Sequence, residues 1–207
     1  MSGTRSWLLV PLAGSLLACG AASRPASSDL AAANGAACAS DAALSWLDQP
    51  ATALNRRVRD AAQTYLNRYV PNESRHECTD LVAAALRDGG ARPSAANAAA
   101  LVSPRPTSED YQWGTFLASV ESAQAVVPAA VAPGDIIQFR NALFHFTYEL
   151  HSIALDAAHH SAVVTSISPD RKHLCVIEQN PAIVHYGWYP VTGMTSGVLW
   201  FYRPIER

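Results

Sequence analysis

A thiol, an imidazole and a carboxylate or amide can together run acyl transfer, and this chain offers such a set in order: Cys78, His160, then Glu178 or Asn180. A cysteine hydrolase needs a thiolate to attack, an imidazole that holds a proton and later gives it to the leaving group, and a polar partner that fixes the imidazole tautomer. Cys78 lies in Ser74-Arg75-His76-Glu77-Cys78-Thr79-Asp80-Leu81. Ser74 with Glu77 three residues on is a capping-box pattern. Leu81, Val82, Ala85 and Leu86 then form an apolar stripe at helical spacing before Gly89-Gly90. The spacing therefore predicts a helix whose first turn holds the thiol. Unpaired amides and the positive end of the helix dipole favour thiolate over thiol there. The backbone amide of Cys78 is also the natural donor to an oxyanion.

His160 opens the apolar run 161–167, read as a strand, so its imidazole is expected to point off the sheet edge toward a helix start. Glu178 and Asn180 end the next strand, two residues apart and thus on one face, where either can accept from the ring N–H of His160. His159 is as near as His160, and sequence leaves the base between these two. Taken singly, each residue has an inert reading: a structural thiol, a surface histidine, a strand end. The conjunction carries the weight.

The elements that must position this set run helices first and sheet second. Helical patterns cover 41–47, 50–69, the Cys78 helix and 115–123, with a loose segment at 91–110. After Pro133-Gly134, short strands are expected at 135–139, 161–167, 173–178, 184–189 and 198–202, broken by turn residues such as Ser168-Pro169-Asp170 and Asn180-Pro181. That order indicates an α+β domain with a mainly antiparallel sheet against which the Cys78 helix packs. The aromatic residues Tyr186, Trp188, Tyr189, Trp200, Phe201 and Tyr202 read as core packing of the last two strands, with a sugar- or peptide-lining groove as the alternative. Tyr111-Gln112-Trp113-Gly114 either borders the cleft or covers the core beside the Cys78 helix.

The 207 residues, 49% of them hydrophobic, suffice for one domain with an appendage. With 15 basic and 17 acidic residues and no long basic run, nothing resembles a nucleic-acid footprint, and no nucleic-acid partner is expected. His145, His151, His159 and His160 match no closed zinc spacing, so neither metal nor cofactor is expected. Arg5 precedes an apolar run at 7–18 that is short for a bilayer span, and this reads as an export signal. Leu16-Leu17-Ala18-Cys19 resembles the bacterial lipobox, which implies membrane attachment through a lipid on Cys19; ordinary secretory cleavage near Gly20-Ala21-Ala22 is the alternative. Residues 1–19 are thus a signal, 20–40 an Ala-, Ser- and Gly-rich tether, and 41–207 the domain. In an oxidising compartment, Cys38 and Cys175 either pair and leave Cys78 free, or all three remain thiols.

Four ordered motifs then resemble a known group. Glu77-Cys78-Thr79-Asp80, Pro133-Gly134-Asp135-Ile136-Ile137-Gln138-Phe139, His160-Ser161-Ala162-Val163-Val164 and Ile177-Glu178-Gln179-Asn180 look like papain-like hydrolases of the CHAP and NlpC/P60 groups. A closer resemblance is to the cysteine-proteinase-like domain that ends some fungal actin-patch proteins and occurs in bacterial exported proteins. Its recurring motifs are matched at 134–140, 159–163, 178–180 and 200–204. The resemblance covers about residues 70–207 and implies a papain-like fold, with Cys78 as nucleophile, His160 as base and Glu178 or Asn180 as orienter. CHAP members carry glutamine just before the cysteine, whereas Glu77 stands here, and an ionised carboxylate donates no hydrogen bond and opposes a thiolate. Residues 141–158, with Phe144, Phe146, Tyr148 and Leu150 alternating, are long for the loop before the histidine and suggest an extra hairpin over the cleft or a cover that closes it.

The expectation is an exported cell-envelope cysteine hydrolase that cuts amide bonds, most naturally in peptidoglycan peptides, through an acyl-cysteine intermediate. Its rival is a catalytically silent papain-like domain that binds or scaffolds. A transglutaminase-like or deamidating enzyme would use the same three roles with a different acyl acceptor.

Overall fold

The structure, a computed structural model, describes residues 38, 46–70, 77–93, 112–121, 126–148, 151–179 and 183–207. The expected signal with Cys19, Ser74 of the capping box, Tyr111 and Asn180 lie outside the described residues.

Two helices and six strands make up the described architecture: α1 (Ala53–Thr64), α2 (Glu77–Asp88), β1 (Thr115–Glu121), β2 (Ile136–Tyr148), β3 (His151–Ile167), β4 (His173–Gln179), β5 (Val184–Pro190) and β6 (Met194–Arg203), with one 3-10 turn at Val191–Gly193. The strands form one sheet in the order β1-β6-β2-β3-β4-β5, and every neighbouring pair is antiparallel. This is an α+β arrangement.

Consecutive apolar residues on the central strands feed opposite faces of the sheet, as a pleat requires. Ile136, Val163, Ile177, Trp200 and Tyr202 pack with Leu54 and Val58 of α1 and Leu81, Val82 and Leu86 of α2. Their chain neighbours Ile137, Val164, Val176, Leu199 and Phe201 pack on the other side with Phe139, Phe144 and the loop residues Val127 and Val131. With both faces covered, the central strands carry near-continuous apolar runs.

Pro133-Gly134-Asp135 is a rivet between helix and sheet. Gly134 has φ +85, and a Cβ there would come within 2.8 Å of the Asn55 Cα, so only glycine lets α1 approach this closely. The Asp135 carboxylate, fully buried, accepts from Asn55 Nδ2 at 2.7 Å, from the Ala132 amide at 2.8 Å and from Arg203 at 3.1 and 3.0 Å. Thr52 caps α1, its hydroxyl oxygen accepting from the Asn55 amide at 3.0 Å, and thereby holds Asn55 at the first turn.

Three expectations are corrected. Residues 115–121 form strand β1 rather than a helix, because they pair along the edge of β6 from Thr115↔Arg203 to Glu121↔Val198, and tertiary pairing outweighs the helical propensity of Leu117, Ala118 and Glu121. Residues 141–148 and 151–158 are not a loop ahead of the histidine but the outward continuation of β2 and β3 as a hairpin, paired from Ala142↔Ala157 to Tyr148↔His151. The expected helix at 41–47 ends in a bridge instead, with Leu47 and Ile167 exchanging backbone bonds of 2.8 and 3.2 Å; 41–45 lie outside the described residues.

Cys38 and Cys175 form a disulfide with Cα atoms 5.8 Å apart, and Cys78 is a buried thiol outside any disulfide. The expected tether is therefore fastened to β4 at Cys38, two residues short of its expected end.

Candidate functional site

Helix α2 places Cys78 in its first turn, where a backbone N–H has no partner within the helix. The residue is 3% exposed yet belongs to neither apolar cluster. Its neighbours are polar: the Thr79 hydroxyl lies 4.0 Å from Sγ, and the thiol is a hydrogen-bonding partner of the His160 ring. The Glu77 side chain lies outside the described residues.

His160 does not open a strand at a sheet edge. It sits well inside β3, an interior strand, directly opposite Phe139 of β2, because the residues before it extend the same hairpin. Its ring lies 5.5 Å from that of Phe139, on the sheet face carrying Phe144 and Tyr189. Alternation sends His159, opposite Arg140, to the other face. Between the two candidates, His160 is the one beside Cys78, because its ring hydrogen-bonds that thiol.

The second nitrogen requirement is met from β4. His160 Nε2 donates to Glu178 Oε2 at 2.7 Å, and both side chains are buried. Nε2 being committed to the carboxylate, Nδ1 is the ring atom left for the thiol. Burial by itself would lower the His160 pKa, but the bonds and charges of Cys78 and Glu178 outweigh it and raise the group to about 10. Burial likewise pushes Glu178 up, and the bonds from His160 and His185 with their charges hold it well below the usual carboxylate range. The arrangement stabilises an imidazolium between a carboxylate and a thiolate, which is the charge state that nucleophilic thiol chemistry starts from. Of the four sequence-predicted residues, the structure brings Cys78, His160 and Glu178 together; Asn180 lies outside the described residues.

Three more residues complete the carboxylate's surroundings and were missed in the sequence. Tyr189 donates its hydroxyl to Glu178 Oε2 at 2.7 Å; burial, then the charge and bond of Glu178, raise its pKa and keep it a donor. His185 presents Nε2 to Glu178 Oε1 at 3.4 Å. Gly187 makes room: a Cβ there would come within 2.6 Å of the Glu178 carboxyl carbon. Gly187 did carry a signal, since a glycine inside a strand marks a close approach. Tyr189 stood in an aromatic run that packing already explained. Trp113 is buried against the α2 cluster and donates to the Ser161 hydroxyl at 3.1 Å, so it covers the core and also ties down the residue after His160.

A thiol at a helix start, a histidine on an adjoining strand and a carboxylate on the next, over an antiparallel sheet backed by helices, define a cysteine-proteinase-fold domain. The family model of the AIM3/BBC1 cysteine proteinase-fold domain matches residues 42–207, and the chain belongs to that family. No curated protein and no solved structure matches the chain. The family is the one related to fungal actin-patch proteins, so the wider part of the resemblance holds.

Proposed function

We propose that this domain is an exported cysteine hydrolase that cleaves amide bonds, with peptidoglycan peptides as its substrate class. The observation that carries this reading is the buried chain Cys78, His160, Glu178, with its 2.7 Å bond between imidazole and carboxylate. In the reaction, Cys78 Sγ as thiolate forms a bond to the carbonyl carbon and the carbonyl π electrons move to oxygen. The first-turn amides of α2, which have no acceptor within the helix, are the donors at hand for such an oxyanion. The intermediate collapses with cleavage of the C–N bond, and His160 gives its proton to the leaving amine. His160 then takes a proton from water, whose oxygen attacks the thioester and releases the acid and the thiolate, with Glu178 holding the ring throughout. The CHAP-like motifs and the lipobox-like Leu16-Leu17-Ala18-Cys19 support a substrate at the cell envelope, with the domain held there by lipid on Cys19.

One observation favours the silent binding module instead: Cys78 is only 3% exposed, and an acyl group must reach it. Alkylation of Cys78 against pH, with Cys78→Ser as control, separates the two. A hydrolase shows a thiol titrating well below the ordinary value of about 8.5, and Cys78-dependent release of peptides from purified cell wall. An unreactive thiol, or one titrating at or above that value, sinks the hydrolase reading in favour of the silent module.

A further inference from the structure

Glu178 has a second histidine that the acyl-transfer scheme does not use. His185 on β5 lies directly opposite it in the β4–β5 ladder. Its Nδ1 is 2.9 Å from the Ile183 carbonyl oxygen and its Nε2 3.4 Å from Glu178 Oε1. Both ring nitrogens therefore face oxygen atoms that only accept. A neutral imidazole carries one N–H, so whichever tautomer it adopts, one nitrogen lone pair points at an acceptor lone pair. Only the doubly protonated ring satisfies both contacts.

The two carboxylate oxygens are divided accordingly. Oε2 takes His160 and Tyr189 at 2.7 Å each, while Oε1, wedged beside Gly187, takes His185. A carboxylate held at one oxygen can rotate about its last bond; held at both it cannot, and the aim of Oε2 at His160 depends on that. The exposures differ in a useful way: the His185 side chain is 22% exposed against 4% for His160. His185 exchanges protons with solvent while His160 is shut off from it.

We propose that His185 is a positioning residue of the site, which as an imidazolium clamps Glu178 and thereby holds His160 in register, and which releases the clamp when it loses its proton. The proposal rests on the Cys78–His160–Glu178 reading and adds a pH control to it. Among the described residues, the groups that face His185 are Glu178 from β4, His160 behind it from β3 and Tyr189 from its own strand; Arg68, after α1, meets the adjoining Val184 amide through its carbonyl oxygen. Burial lowers the pKa of His185, but the bond and charge of Glu178 outweigh this and raise it above the ordinary 6.5, with His160 opposing weakly.

The test follows imidazole protons and thiol reactivity together in the full chain, by nitrogen-resolved NMR and by iodoacetamide alkylation of Cys78 between pH 5 and 10. The expected result is a His185 that carries both N–H protons above pH 6.5. As it titrates, the His160 Nε2 proton exchanges with solvent about 10-fold faster, the equivalent of one pKa unit, and alkylation steps down at the same midpoint. His185→Gln then lacks the step and stays at the lower level throughout, whereas His185→Lys, which keeps a cation, stays at the higher level. A His185 that titrates at or below 6.5 overturns the proposal. So does a His185→Gln chain whose His160 proton and alkylation profile follow the parent's. If Cys78 is unreactive in the parent while His160 proton exchange still steps with His185, the clamp stands and the hydrolase reading alone fails.

Discussion

Among the described residues, two buried carboxylates, Asp135 and Glu178, are held by different kinds of donor. Asp135 is fixed by Arg203, Asn55 and a backbone amide, none of which gives up its proton in the working range. Glu178 is fixed by two histidines and a tyrosine, all of which titrate. For Asp135, burial dominates its bonds and raises its pKa. For Glu178, the partners dominate burial and lower it, and the same interaction raises His160. The first carboxylate spends its charge on joining α1, β2 and β6 and moves no proton. The second sets the proton affinity of its neighbour. A buried acid among fixed donors is a rivet, and one among titratable donors is a means of placing a proton.

The strongest way to break this contrast is to neutralise each acid in turn. Glu178→Gln is expected to lower Cys78 alkylation and any Cys78-dependent hydrolysis by about 100-fold or more, the usual worth of a well-placed acid–base group. Asp135→Asn should instead cost stability, about 2–3 kcal/mol in urea denaturation; this is below the value for a fully buried pair because the Arg203 side chain is 27% exposed. Its alkylation profile should stay within about 3-fold of the parent's, far short of a tenfold, one-unit change. An Asp135 variant with a dead thiol would erase the distinction.

Next in size is Gly187→Ala. Its new methyl group pushes the Glu178 carboxylate away without touching any charge, and we expect about 1–2 kcal/mol of destabilisation together with roughly 10-fold slower alkylation. Stability against pH gives a further contrast. Glu178, lowered when folded, stabilises above its unfolded value of 4.5, and this is lost as pH falls through its lowered folded value. His160, raised when folded, stabilises fully below 6.5, and this is lost as pH rises through about 10. Thermal midpoints should therefore be highest between about 4.5 and 6.5 on these two groups, and Glu178→Gln should flatten the alkaline fall. The smallest change is Tyr189→Phe, which removes one of the donors at Oε2 and should cost about 1 kcal/mol with thiol titration displaced only slightly. A Tyr189→Phe chain as inert as Glu178→Gln would show that the hydroxyl, and not the histidine pair, holds the acid.

Much of this was legible in the chain because chemistry and local geometry coincide. The helix start at Cys78 and the strands bearing His160 and Glu178 follow from period and turn residues, and Gly134 with Asp135 stood out as a motif before its role as a rivet was visible. Two things were hidden. Strand β1 has a helix-like composition, and only its pairing with β6 makes it a strand. The partners of Glu178 come from β5 across the ladder, and sequence spacing does not say which of His185, Tyr186, Trp188 and Tyr189 faces a carboxylate until the register Glu178↔His185 is known. Alternation at Phe144 and Phe146 was visible, but only the pairing shows that it belongs to a longer β2 in one hairpin with β3, whose Phe144 lies 5.5 Å from Tyr189.

The disulfide has a mechanical consequence. Cys38 is joined to Cys175 across 137 residues of chain, so a pull on the amino-terminal segment bypasses both helices and enters the sheet at β4. That strand lies between β3 and β5, and antiparallel ladders on both flanks resist its being drawn out lengthwise. Three residues beyond the point of attachment stands Glu178. Tension applied ahead of Cys38 therefore runs along the strand that carries the acid, and the neighbours that keep β4 from sliding also keep the acid in line with His160.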